Sequence, residues 1–193
     1  MDLTQGTTEE KTIRAKKMML WFGIISLIMS FAGITSAFIV SSSREDWLKN
    51  FELPEAFTLS TIVIVISSLT IILAKRTLKK GDRKLTTVFL LATFVLGIIF
   101  IGSQLKGFDE IIAGGYYFTG ASSNVTMSYI YVIAGLHILH VIAGLICLLV
   151  VIYNHFKQKY HVGKMLGFEL AATFWHFVDL LWLYLFFFLY FFR

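Results

Sequence analysis

Proline and cysteine each occur once in 193 residues, and charged side chains make up only 15% of the chain. A lone cysteine excludes an intrachain disulfide and a thiolate metal cluster; Cys147 lies inside an apolar run and reads as a small filler. The sequence also lacks a Gly-rich phosphate loop, a zinc-binding His-x-x-Glu helix pattern and a Ser or Cys nucleophile beside a base. Nothing in it points to catalysis unaided.

What remains is apolar. Hydrophobic residues make up 57% of the chain and the mean hydropathy is +0.76, more than a soluble domain of this length needs to fill one core. Runs of roughly 18 or more apolar residues read as transmembrane helices. Five occur, at about 18–42, 57–74, 85–102, 129–153 and 169–192. The expected fold is all-α, an integral membrane bundle of five transmembrane helices in a single membrane domain over 1–193. A polar tail, 1–17, precedes the first span, which is too long for a signal-peptide core and is expected to be retained. Spans one and two are expected to form one group and spans three to five the other.

Basic residues orient the bundle. Lys11, Arg14, Lys16 and Lys17 precede span one, Lys75, Arg76, Lys79, Lys80, Arg83 and Lys84 follow span two, and Lys157, Lys159 and Lys164 follow span four. Only Arg44, Lys49, Lys106 and Arg193 fall on the other side. The positive-inside rule makes the amino terminus cytoplasmic and, after five spans, the carboxyl terminus external. The formal charge of +5 then reports topology and contact with anionic lipid, not nucleic acid.

Small residues mark where helices approach in lipid, where no hydrophobic effect drives association. Ser26, Ser30, Gly33, Ala37 and Ser41 form such a stripe on span one, and Ser60, Ser67 and Ala74 recur every seven residues on span two. Gly81 suits the tight basic turn "RTLKKGDRK". The long external connection offers Tyr116, Tyr117 and Phe118 to the membrane interface.

Chemistry-bearing side chains are confined to the last two spans. His137 and His140, three apart, share one face of span four near mid-bilayer; Glu169, His176 and Asp179 share a face of span five. An ionised group near a helix centre costs roughly 2.5–3.5 kcal/mol on insertion scales, so it faces protein or a cavity. A His176–Asp179 pair would make the carboxylate tolerable. The three histidines read as interhelical hydrogen-bonding groups, as lipid head-group or proton contacts, or as metal or haem ligands. Trp175 and Trp182 read as packing or interfacial anchors whose indole N–H seeks an acceptor, and Glu169 as a group favoured by its helix dipole. Two rival readings follow: a small b-type membrane cytochrome with His140 and His176 as axial ligands, and a proton-coupled transporter using Glu169, His176 and Asp179. The transporter reading lacks an internal repeat or a Gly/Pro-broken helix pair.

The run "FELAATFWHFVDLLW" on span five closely resembles the carboxyl-terminal signature of subunit III of the haem-copper oxidases, the cytochrome c and quinol oxidase family. "GLHILHVIAGL" on span four, "SSLT" on span two, "KKGDRK" in the basic turn and "FAG" on span one are similar to the family's pattern, in the same order.

This resemblance implies a five-helix bacterial form lacking the two amino-terminal helices of the seven-helix version, in the cytoplasmic membrane. It implies a subunit with no redox centre of its own that packs on the catalytic subunit I. Haems and copper would reside in subunits I and II, and structural phospholipids would be held beside this chain. It further implies support of proton uptake and protection from turnover inactivation. His137, His140, Glu169, Trp175, His176 and Asp179 match the family's intramembrane polar set and are implied to give structural, lipid or relay support. Two positions depart from the pattern: Leu27 stands about where the family carries a Glu before "FAG", and Ile138 replaces a Gly, which implies a wider helix contact there.

Overall fold

A computed structural model of the chain describes residues 6–48, 53–120, 123–160 and 165–192. Lys49, Lys164 and Arg193, used above for orientation, lie outside them. Five helices follow in order: α1 Thr8–Ser41, α2 Glu55–Lys79, α3 Arg83–Ala113, α4 Val125–Phe156 and α5 Leu166–Phe191. All five are long and apolar enough to cross a membrane, since even α2, with 25 residues, spans roughly 37 Å at 1.5 Å per residue. Among the described residues the only β pairing is an isolated bridge between Tyr117 and Ser123.

Capping side chains set the ends. The Thr7 hydroxyl accepts the Glu10 N–H, and the Glu10 carboxylate accepts the Thr7 N–H at 2.9 Å. This reciprocal box begins α1 inside the segment expected to be a polar tail. Pro54 precedes α2, where its fixed φ suits a helix start. Gly81, at φ +81°, turns the chain after α2, and Asp82 caps α3 by accepting the Leu85 N–H. α3 runs on past Gly102 to Ala113, carrying Gln104, Lys106, Asp109 and Glu110 into the helix. Asn124 caps α4 through the Thr126 N–H at 2.8 Å.

Packing corrects the expected grouping. Helices α2, α3, α4 and α5 form a closed ring in which each touches two neighbours. Helix α1 lies outside that ring against α4 and α5, and among the described residues it has no contact with α2. The reason is which face of α1 carries bulk. Ile24, Phe31, Thr35 and Phe38 are buried, with Phe38 meeting Trp47, Tyr129 and Phe188 edge to face. The small-residue stripe faces mainly outward: Ser26, Ser30 and Gly33 are exposed, and a Cβ on Gly33 would meet nothing within 4 Å. Ser30 donates to its own helix at the Ser26 carbonyl, while Ser41, at the end of that stripe, reaches another helix at the Tyr129 hydroxyl, 3.0 Å away. On α2, by contrast, Ser60, Ser67 and Ala74 are fully buried.

The connections are tied to α4. Asn124 donates to the Asp46 carbonyl, and the Leu48 N–H donates to Thr126 Oγ1. Arg44 grips Asp46 through two bonds of 2.8 and 3.0 Å, which holds the Asp46 carboxyl below the usual carboxylate range and raises Arg44. Tyr131 and Ser128 donate to the carbonyls of Tyr116 and Phe118. The side chains of Tyr117 and Phe118 are left about half exposed.

Candidate functional site

The polar residues of α5 are directed mostly at α2. Trp175, 1% exposed, donates its indole N–H to the Ser67 hydroxyl at 2.9 Å. Its ring fits between two glycines: a Cβ on Gly97 of α3 would lie 2.8 Å from the indole, and one on Gly144 of α4 would lie 3.0 Å from it. One side chain therefore contacts three helices, with no room for a Cβ at Gly97 and a tight fit for one at Gly144. Trp182, one face-repeat later, donates to Thr61 Oγ1 at 3.0 Å. Its ring packs on Phe57, Phe100 and His137 at centroid distances of 5.8, 5.3 and 5.0 Å.

The expected His176–Asp179 pair does not form. His176 Nδ1 instead hydrogen-bonds the Ser68 hydroxyl of α2 at 2.7 Å. Asp179 is 3% exposed; Ser68 is the polar group beside it, but no hydrogen bond of ordinary geometry reaches either carboxyl oxygen. The small residues of α2 bring its backbone close to α5, so a hydroxyl across the contact is better placed for the imidazole than a carboxyl on the same helix. Glu169 lies in the first turn of α5, where the dipole favours it. It reaches Lys75 of α2 at 3.8 Å, both side chains being about one-third exposed.

The two histidines of α4 diverge. His137 is fully buried among Phe100 and Trp182, with no hydrogen bond at either ring nitrogen. His140 is half-buried, faces Phe31 of α1 edge to face, and donates from Nδ1 to its own helix at the Leu136 carbonyl, 2.7 Å away. A separation of three residues rotates one side chain by about 60° from the other, enough to give them different neighbours. For the haem reading, this commits His140 towards α1 and His176 towards α2. Among the described residues no three His, Cys, Asp or Glu side chains gather as a metal site.

The sequence reading missed the partners. Gln104, fully buried, donates to Ser60 at 2.7 Å; it lies beyond the apolar run that ends at Gly102, in the part of α3 that its sequence does not mark as membrane-spanning. A hydroxyl ladder joins α2 to α3, Thr70 to Thr93 at 2.8 Å and Thr77 to Thr86 at 2.9 Å. These threonines recur every seven residues on both helices, a signal that was legible and overlooked. Thr87 with His155 on α4, at 2.9 Å, extends the set.

Fold and site together define a multi-pass helical membrane protein in which most intramembrane polar groups join one helix to the next. The sequence profile of the family described as Cytochrome c oxidase subunit III matches residues 4–193, and the chain belongs to that family. It is 37% identical over 180 residues to Cytochrome c oxidase subunit 3 of Papio hamadryas, covering 84% of this chain and 64% of that protein. It is 31% identical over 167 residues to the subunit of the same name from Thermostichus vulcanus, covering 84% and 80%. With Cytochrome bo(3) ubiquinol oxidase subunit 3 of Pseudomonas aeruginosa it shares 32% over 133 residues, covering 69% and 62%. The match thus spans somewhat under two-thirds of two of these relatives and four-fifths of the third.

Proposed function

We propose that the chain is a non-catalytic accessory subunit of a respiratory haem-copper oxidase, in which oxygen reduction to water is coupled to proton pumping. It stabilises subunit I, holds structural phospholipids and supports proton uptake. The observation that carries this reading, beside family membership, is the use of Trp175, Trp182, His176 and Gln104 in helix-to-helix hydrogen bonds. Side chains fixed in this way brace a bundle. In this reading the haems and copper belong to subunits I and II, and the complex lies in a bacterial cytoplasmic membrane with the amino terminus of this chain inside.

The test is oxygen uptake followed through many turnovers, in the complete complex and in one depleted of this chain. The expected result is an unchanged haem spectrum, partial initial activity and faster decay per turnover. A flat rate in the depleted complex overturns the stabilising role. The b-type cytochrome reading is tested by the visible spectrum of the separately purified chain, where a Soret band with one haem per chain would establish it instead.

A further inference from the structure

All four helices of the ring bring a polar side chain to one level of its interior. Phe100 of α3 meets His137 of α4 at 5.7 Å and Phe108 meets Tyr131 at 5.1 Å, which sets the register of these two antiparallel helices. Gln104 stands one turn on from Phe100 and one turn before Phe108, so it lies within about one turn of His137 on the facing helix. Ser60 of α2 and Trp182 of α5 complete the level, the first bonded to Gln104 at 2.7 Å and the second lying on His137 at a ring distance of 5.0 Å. Gln104 and His137 are both fully buried.

The hydrogen bonds at this level leave acceptors over. Ser60 gives its own hydrogen to the Phe57 carbonyl at 2.8 Å, so its oxygen takes the Gln104 Nε2–H and the orientation of the amide is fixed. Oε1, on the other arm of the amide, has no partner, and neither has either ring nitrogen of His137. A neutral imidazole carries one N–H and one bare nitrogen. The N–H can rest on the face of Phe100 or Trp182, which take it weakly; the bare nitrogen and Oε1 can only accept. The Trp182 indole N–H is already given to Thr61. Two buried acceptors cannot bond each other, and each left alone bears the full desolvation of its group. A molecule with two donor hydrogens satisfies both, and the rings at 5.0 and 5.7 Å confine it to the size of water. Buried waters characteristically bridge polar groups in this way.

We propose that the interior of the ring binds a water molecule between α3 and α4, which donates one hydrogen to Gln104 Oε1 and the other to the bare nitrogen of His137. One chain of hydrogen bonds, from Ser60 through Gln104 and the water to His137, then joins α2, α3 and α4. The bridge also gives His137 a fixed tautomer, since the nitrogen facing the water is the one without a hydrogen. The site lies wholly within this chain and is independent of the subunit reading. Asp179, whose carboxyl oxygens also lack a hydrogen bond of ordinary geometry, is not part of it: it stands one turn before Trp182 on α5, beside Ser68.

The test is solid-state NMR of the full chain in lipid bilayers, with isotope-labelled histidine, tryptophan and glutamine, reading magnetisation passed from water to side-chain nitrogens. His137→Phe and Trp175→Phe identify the signals of those two residues by their loss. The dry reference is the Trp175 indole, whose N–H is held by Ser67. The expected result is transfer from water to the bare nitrogen of His137 about threefold or more above that to the Trp175 indole, falling to the indole level in Gln104→Leu. An unmoved Trp175 signal shows that the substituted chain keeps its fold; if it moves, Gln104→Met, which also lacks the acceptor oxygen, takes its place. Transfer to His137 no stronger than to the indole overturns the proposal. Equal transfer in the parent and in the Gln104 variant overturns the bridge, because the water then sits elsewhere. A correlation joining the His137 N–H directly to the Gln104 side-chain carbonyl, without transfer from water, assigns a direct bond and overturns it as well.

Discussion

The Trp175 indole and the Ser67 hydroxyl meet at 2.9 Å across the α2–α5 contact, although they are 108 positions apart in the chain. Ser67→Ala removes the hydroxyl that accepts from a buried indole N–H, a loss that costs about 1–3 kcal/mol. The midpoint of unfolding of the purified chain in mixed micelles should fall accordingly, while Ser67→Thr, which keeps a hydroxyl, should retain most of it. Equal midpoints for Ser67→Ala and the parent would mean that the indole N–H finds another acceptor.

The same indole makes three glycines unequal. A Cβ on Gly97 would come within 2.7 Å of Leu145 and 2.8 Å of Trp175, while one on Gly144 would stand at 3.0 Å from Trp175. Overpacking of this kind costs about 1–3 kcal/mol, so Gly97→Ala should lower the midpoint most and Gly144→Ala less. Gly33→Ala meets open space and should leave it unchanged or raise it slightly, because alanine favours helix. The ranking, read from three melting curves, tests the packing of α3 and α4 around one side chain.

Ser68 and Asp179 give a second contrast. Ser68→Ala leaves His176 Nδ1 without its hydroxyl and should destabilise by about 1–3 kcal/mol. Asp179→Leu removes a buried carboxyl that has Ser68 beside it but no hydrogen bond of ordinary geometry, so it should be neutral or stabilising in the isolated chain. Had the His176–Asp179 pair formed, the order would be reversed. A large loss for Asp179→Leu would show that the carboxyl has a partner the isolated chain does not supply.

These contrasts also show what could be read from the chain itself. Five apolar runs, a proline at a helix start and a glycine in a basic turn were enough for number, order and type of helices. The ends were less legible, because Thr7 with Glu10 extends α1 into a polar segment and α3 carries Lys106, Asp109 and Glu110 past its apolar run. The grouping of helices was not legible. Stripes of small residues look alike in sequence whether they face a neighbour, as on α2, or the outside, as on α1. The candidate residues were found because charge and indole stand out in apolar runs. Their partners Ser67, Ser68 and Thr61 were not, because a serine or threonine in such a run gives no sign of which distant side chain it will bond.

Orientation gives a prediction independent of packing. Thirteen of the 17 basic residues fall in connections on one side of the bundle, and the positive-inside rule predicts that this side, with the turn around Gly81, is cytoplasmic. Lys79→Cys, in a Cys147→Ser background, should resist a membrane-impermeant thiol reagent applied to intact cells and react after permeabilisation. Reaction from outside would invert the bundle and with it the assignment of every connection.

The looseness of α1 can be tested through Phe38. Four rings cluster at the end of this helix: Phe38 lies 4.8 Å from Trp47, 5.9 Å from Tyr129 and 5.4 Å from Phe188, each edge to face. Two hydroxyl pairs add to it, Ser41 with Tyr129 and Thr35 with Tyr184. Beyond these groups α1 is held by buried Ile24 and Phe31, the latter against His140, and its remaining surface is largely exposed, whereas α2 to α5 are joined to one another around a ring. Phe38→Ala should therefore cost about 3–5 kcal/mol, borne by the seating of α1 and not by the ring, because regions with few buried contacts open separately. Amide exchange should rise along 24–41 and remain slow along 60–74 and 172–185. Uniform acceleration along all five helices would mean that α1 is an integral stave of the bundle, in which case its removal could not leave the Trp175–Ser67 and His176–Ser68 contacts standing.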